Sequence, residues 1–317
     1  MTPVADVAGL GRRIVENIER VIVGKRRPVR LTLVALLCEG HVLLEDVPGV
    51  AKTMLARSLA ASLGCSFARV QCTPDLLPSD ITGVSVFNQK TVSFEYQPGP
   101  VLNQIVLADE LNRATPRAQA ALLESMAERQ ITVDGVTRKL PEPFMVIATQ
   151  NPIEHEGTFP LPEAQLDRFL MRLSIGYPSF TDENELLERL RLVHPLDALG
   201  QVASGEEVAA AQHTIREVFV HEKVRQYLVR IVHATRRHEE LALGASPRAS
   251  LALYRTSQCL AALEGREFVI PDDVKFVAEA ILAHRMILSS EARLRGRAVE
   301  DIIDDLLGSI PAPVERA

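Results

Sequence analysis

The chain has 317 residues, 47% of them hydrophobic and 24% charged, with a formal charge of −6. That is a soluble composition with apolar material for about two domains; no apolar run nears the roughly 18 residues of a membrane span and no basic-then-apolar leader is present, so a cytosolic protein is predicted. The acidic balance and 4% aromatic content speak against a nucleic-acid partner, and four scattered cysteines (Cys38, Cys65, Cys72 and Cys259) without metal-ligand spacing speak against zinc or a disulfide framework.

Short apolar runs alternate with helical patterns in the first half. Residues 41–44, 67–72, 104–108 and 144–148 read as strands, the last two continuous enough to be covered on both faces. Helices are predicted over 52–63 and 117–129. Two hairpins interrupt this order. Residues 84–87 and 91–96 flank Asn88-Gln89-Lys90, and residues 131–133 and 136–138 flank Asp134-Gly135, a sequence suited to a type I′ turn. The βαβα order predicts an α/β fold with a mostly parallel sheet and a ligand site at the strands' carboxyl ends. After a linker near Gly176 to Pro178, only helical periodicity is found, over 181–193, 206–219, 222–237, 246–263, 271–288 and 297–307. Thr181 with Asn184 and Glu185 resembles a helix start, and Gly265 and Gly308 stand where helices would stop. The predicted division is 1–177 and 178–317.

The sharpest local pattern is Asp46-Val47-Pro48-Gly49-Val50-Ala51-Lys52-Thr53, after a strand and before a helix. Backbone N–H groups at such a helix start can cradle phosphates, with Lys52 reaching the β- and γ-phosphates and Thr53 helping to hold Mg²⁺. The full G-x-x-x-x-G-K-[ST] pattern is not met: Asp46 and Ala51 occupy its glycine positions, and Ala51 adds a Cβ where the backbone can need φ > 0. On this segment alone, a plain strand–turn–helix is as good a reading. Residues 105–108 lead into Asp109-Glu110, and this acidic pair tips the balance. A strand-ending Asp109 can hold Mg²⁺ through its water shell, and Glu110 can polarise the water that attacks the γ-phosphate. A third strand ends in Thr149-Gln150-Asn151-Pro152, where Asn151 can meet the γ-phosphate or that water.

Together, Glu45-Asp46-Val47-Pro48-Gly49-Val50-Ala51-Lys52-Thr53, Asp109-Glu110-Leu111-Asn112-Arg113-Ala114, Ala148-Thr149-Gln150-Asn151-Pro152, residues 161–169 (LPEAQLDRF) and residues 244–249 (GASPRA) resemble the MoxR-type AAA+ ATPases across nearly the whole chain. The resemblance implies a P-loop AAA+ core with a helical lid, built into a ring, usually a hexamer, with ATP at subunit interfaces. It assigns Val47, Pro48, Gly49, Val50, Ala51, Lys52, Thr53 and Met54 to the ATP-binding Walker A segment. Asp109 and Glu110 become Walker B, with Thr53 and Asp109 on Mg²⁺, and Asn151 becomes sensor 1. Arg168 matches an arginine finger given to a neighbouring subunit, and Arg248 matches sensor 2. Val23 and Gly24 fall in the segment that packs on adenine. The two hairpins match the helix-2 insert and pre-sensor hairpin, which face the pore in related ATPases.

From the residues alone, a surface pair of Arg168 with Asp167 is slightly favoured, and the family resemblance reverses that. Arg248 early in a helix opposes the helix dipole, which hints at an anion nearby. His155, His221, His233, His238 and His284 lack metal-ligand spacing, and Arg236-Arg237-His238 reads as a solvated face. The predicted function is Mg²⁺-dependent ATP hydrolysis used to remodel or mature a partner protein, with a von Willebrand factor A domain partner suggested by the family analogy. A nucleotide-gated scaffold with little hydrolysis and a DNA-remodelling motor are the alternatives.

Overall fold

The computed structural model describes residues 4–153, 157–189 and 195–313. Its strands are β1 (Val42–Glu45), β2 (Phe67–Gln71), β3 (Gly83–Asn88), β4 (Ser93–Pro98), β5 (Ile105–Asp109), β6 (Gln130–Val133), β7 (Val136–Lys139), β8 (Met145–Gln150), β9 (Met171–Leu173), β10 (Leu241–Leu243) and β11 (Ile287–Leu288). Five of them form a parallel sheet in the order β2-β5-β8-β1-β9. The four predicted core strands are all present. The fifth, β9, is Met-Arg-Leu, too short to show a period, and it forms by pairing with β1.

Two-residue alternation explains the covered strands. Ile105 and Leu107 of β5 and Met145 and Ile147 of β8 enter one apolar cluster. Val106, Ala108, Val146 and Ala148 enter a second cluster on the opposite face. The first holds α1 (Val4–Glu19), α2 (Arg26–Leu37) and α3 (Lys52–Leu63); the second holds α4 (Pro78–Thr82) and α5 (Pro116–Glu128). Each fully buried Leu or Ile in these clusters contributes about 1.5–3 kcal/mol against the unfolded chain. α1 and α2 escaped the sequence reading, although Val7, Leu10, Ile14 and Ile18 repeat at helical spacing.

Both hairpins exist, β3–β4 and β6–β7. The first is pinched where Gly83 and Gly99 cross. A Cβ on Gly83 would lie 2.3 Å from the Gln97 carbonyl oxygen, and one on Gly99 2.3 Å from that of Ile81. Arg138 of the second hairpin stacks 3.8 Å above the Tyr96 ring of the first, so the two project together. Phe87 and Phe94 meet edge to face at 5.4 Å, and with Val92 they stay exposed.

Residues 174–179 have no regular structure, and all but the first of the remaining helices follow them. In chain sequence these helices are α6 (Glu163–Leu166), α7 (Phe180–Arg189), α8 (Gly205–Ile215), α9 (Glu222–Thr235), α10 (Pro247–Leu263), α11 (Pro271–Leu282), α12 (Ser290–Leu294) and α13 (Val299–Ser309). α7 begins earlier than expected because Ser179 and Asp182 cap it reciprocally (Asp182 N–H to Ser179 Oγ, 3.2 Å; Ser179 N–H to Asp182 Oδ2, 3.3 Å). Positions 190–193 of that predicted helix, and His155, lie outside the described residues. Gly265, at φ 72°, follows α10 as a stop, whereas Gly308 lies inside α13. The predicted helix over 271–288 ends at Leu282. His284 and Arg285 turn inward in a short 3₁₀ segment, and the chain then pairs as β11 with β10. The helical region therefore carries one small antiparallel pair that helical periodicity did not foretell. The first apolar cluster also takes in α8, α9, α10 and α11, so α1 and α2 share one apolar cluster with the sheet and the helical region, edged by ion pairs such as Arg13–Glu207 and Arg27–Glu279.

Candidate active site

β1 delivers the chain to the loop 46–51, and α3 starts at Lys52. Ala51 caps that helix in the left-handed region, at φ 63° and ψ 24°, and Gly49 has φ 86°. The loop therefore needs the positive φ expected at position 51 and obtains it from an alanine, at a cost of roughly 1–2 kcal/mol. Asp46 is buried, and its carboxylate accepts from Ser174 Oγ (2.8 Å) and from the N–H groups of Ile175 (2.5 Å) and Gly176 (3.2 Å). Where the strict pattern has glycine, this chain thus has an anchor tying the loop to the segment between β9 and α7. Lys52 Nζ donates to the carbonyl oxygens of Asp46 (2.7 Å) and Gln150 (3.4 Å). Burial pushes the Lys52 ammonium below the usual lysine range, while Asp46, Asp109 and Glu110 push it back up.

Asp109 ends β5 and Glu110 follows at φ 56°. Thr149 Oγ1 donates to Asp109 Oδ1 (2.6 Å) and accepts from the Glu110 N–H (2.8 Å), locking the pair to the end of β8. Arg69 on β2 donates to Asp109 Oδ2 through Nε (3.1 Å) and Nη2 (2.6 Å), and its Nη2 also reaches Gln71 Oε1 (2.6 Å). Gln71 Nε2 donates to Glu110 Oε2 (2.9 Å). Asn151 Oδ1 accepts from the Ile153 N–H (3.2 Å), which fixes the orientation of its amide. Arg69, Gln71 and Thr149 were missed as site residues. Their signal was the alternation of polar residues 69 and 71 on one side of β2, and Thr149 stood unused within a segment already singled out.

One cavity of about 350 Å³ is lined by Pro48, Gly49, Ala51, Lys52, Thr53, Asp109, Glu110 and Asn151. Three strand ends thus converge: lysine amine, paired carboxylates and asparagine amide line one space. The hydroxyl of Thr53 and the carboxylate of Asp109 offer hard oxygen donors there, the kind Mg²⁺ takes while keeping most of its water. Val23, Gly24, Val47, Val50 and Met54 do not line this cavity. Val23 and Val50 are buried, Val47 and Met54 pack on the first apolar cluster, and Gly24 is approached by the Asp182 side chain.

Arg168 and Arg248 also lie outside the cavity lining. Arg168 does not pair with Asp167; it is exposed, and its Nη1 donates to the Leu123 carbonyl oxygen (2.7 Å). Asp167 instead accepts from Arg285 Nε (2.8 Å), with Ser246 Oγ at 3.1 Å and Arg248 Nη1 at 3.5 Å. The anion hinted at beside Arg248 is therefore Asp167. A larger cavity of about 930 Å³ opens beside this cluster; on its wall Arg172 pairs with Glu45 and Glu300, Arg285 pairs with Asp167, and Arg236 donates to the Ala245 carbonyl oxygen. His221 caps α9 and His284 Nε2 bonds the Phe169 carbonyl oxygen (3.1 Å), both structural roles.

A parallel sheet with a lysine loop, an acidic pair and an asparagine at adjoining strand ends, beside a helical lid, defines a P-loop nucleotide-binding protein. Residues 41–171 match the family described as "ATPase family associated with various cellular activities (AAA)", and residues 233–306 match the AAA lid domain. The "Uncharacterized protein YeaC" of Bacillus subtilis is 50% identical, with 98% of each chain covered. "Chaperone MoxR1" of Mycobacterium tuberculosis is 43% identical over 98% of this chain and 84% of its own. "Protein MoxR" of Methylorubrum extorquens is 32% identical over 95% and 94%. A crystal structure of a candidate ATPase from Cytophaga hutchinsonii superposes with a TM-score of 0.92 at 36% identity, covering 98% of this chain and 97% of that one. The chain belongs to the MoxR family of AAA+ ATPases.

Proposed function

We propose that this chain is a cytosolic, Mg²⁺-dependent ATPase that works as a ring, a hexamer by family analogy, and spends ATP on remodelling or maturing a partner protein. The single observation that carries the reading is the convergence of Lys52, Asp109, Glu110 and Asn151 on one cavity. In that reading Lys52 leaves its carbonyl partners for the β- and γ-phosphates, and Asn151 orients the terminal phosphate. Glu110 accepts the proton of the attacking water. Mg²⁺ bound through Thr53 and Asp109 would supply charge stabilisation on the phosphate oxygens. Residues 1–177 then form the nucleotide domain and 178–317 the lid, with 174–179 as the joint.

Arg168 is exposed and lies away from the chain's own phosphate cavity, which supports its being offered to a neighbouring copy as the arginine finger, while Arg248, at the start of α10, keeps the sensor 2 reading. The exposed Phe87, Val92 and Phe94 at the tip of the first hairpin support contact with a client protein. A partner with a von Willebrand factor A domain rests on family analogy alone. A relative named a chaperone agrees with a remodelling task.

The test is phosphate release together with nucleotide binding. Glu110→Gln is expected to keep ATP affinity and lose about 10²–10⁴-fold in turnover, while Lys52→Ala loses nucleotide binding. Unchanged turnover in the first variant, or unchanged affinity in the second, overturns the reading. A nucleotide-gated scaffold is the second reading, favoured by the strained Ala51 alone; it predicts binding without turnover in the unmodified chain.

A further inference from the structure

Both oxygens of Asp109 are engaged by other side chains. Thr149 Oγ1 holds Oδ1 at 2.6 Å, and the Arg69 guanidinium closes on Oδ2 with Nε at 3.1 Å and Nη2 at 2.6 Å. The two partners of this ion pair differ in their access to water: the Asp109 side chain is 13% exposed and that of Arg69 49%. The carboxylate is therefore a fixed, partly desolvated charge, and the guanidinium a cation able to swing outward. Typical exposed pairs are worth little, but one acceptor oxygen holding two charge-assisted N–H donors is a stronger arrangement.

A hydrated divalent cation seeks the same carboxylate. It must displace the guanidinium or sit a few ångströms from a like charge, and either is unfavourable. Arg69 Nη2 also holds Gln71 Oε1, and Gln71 Nε2 holds Glu110 Oε2. Moving Arg69 thus loosens the grip on both acids of the pair.

Building on the nucleotide site proposed above, we propose that Arg69 is a positioning residue that competes with the divalent cation for Asp109 and so sets how tightly this site takes free metal. The residue does not touch the reacting atoms; it acts through Asp109 and, by way of Gln71, through Glu110. Metal delivered together with phosphate negative charge bears less of the repulsion than metal alone.

The experiment titrates Mn²⁺ into the full chain without nucleotide and counts free Mn²⁺ by electron paramagnetic resonance. Arg69→Gln and Arg69→Met are expected to bind Mn²⁺ about tenfold more tightly than the unmodified chain. Adding Asp109→Asn to either is expected to abolish the gain. Arg69→Lys, which keeps the charge without the planar fork, is expected to stay within about threefold of the unmodified chain. A purely structural role for Arg69 would not raise metal affinity. Equal Mn²⁺ binding in the Gln and Met variants and the unmodified chain overturns the inference, as does a gain that survives Asp109→Asn. A parallel titration with ADP separates this from the underlying reading. If ADP brings no Asp109-dependent Mn²⁺ into the unmodified chain, the nucleotide site itself fails. If it does so while the Arg69 variants gain nothing, only the role of Arg69 fails.

Discussion

Ala51 sits at φ 63° at the start of α3, where its Cβ crowds the backbone, and it also packs on the first apolar cluster. Glycine removes the crowding but loses more entropy on folding, so Ala51→Gly is expected to stabilise the chain by about 0.5–1 kcal/mol. Urea unfolding measures this, and a loss of stability would mean that the methyl group's packing outweighs the strain. The same loop shows what single residues disclose. Lys52, Asp109, Glu110 and Asn151 were legible because each ends or directly follows a strand or opens a helix, so its direction is set by covalent neighbours. Arg69, Gln71 and Thr149 were not. A polar side chain on a strand reads as solvent-facing until the partner strand is known, and only the register Gln71 opposite Asp109 brings β2 against the acidic pair.

Asp46 links two elements that lie far apart in sequence. Its carboxylate is satisfied by Ser174, Ile175 and Gly176, and its carbonyl oxygen by Lys52. Asp46→Asn keeps one acceptor oxygen and puts donors where N–H groups already point. A stability loss of about 1–3 kcal/mol is therefore expected, from backbone donors left without an acceptor. Hydrogen exchange of the Ile175 and Gly176 amides should accelerate in the variant; unchanged exchange there would show that this segment does not depend on the carboxylate. Helical periodicity and turn chemistry were enough for both hairpins and for most of α8 to α13. They failed over 271–288, where Arg285 is drawn inward by Asp167 and the carbonyl oxygens of Phe169 and Leu170, contacts that outweigh continuation of the helix. β9 was hidden for the opposite reason: three residues carry no pattern, and its partner β1 lies more than a hundred residues earlier.

Assembly is where Arg168 and Arg248 matter in the proposed reading. Arg248 reaches Asp167 and Arg168 the Leu123 carbonyl oxygen, and neither lines the phosphate cavity of its own chain. Arg168→Ala is expected to lower turnover by about 10³-fold, the range of an arginine supplied in trans. Mixing it with Lys52→Ala should restore part of the activity, because interfaces arise that join an intact phosphate loop to an intact arginine. Turnover measured across mixing ratios checks this, with subunit exchange followed by a label; absence of recovery in rings that do mix counts against donation between subunits.

The linear chain was sufficient for the class of fold and for the family, because these depend on residues a few positions apart and on two repeating periods. Folding in space settled which polar groups meet: Arg69 on Asp109, Gln71 on Glu110, Asp46 on residues 174–176, and Arg248 on Asp167. Those pairings span distant segments, and their energies come from distance, burial and hydrogen-bond geometry, none of which a one-dimensional pattern encodes.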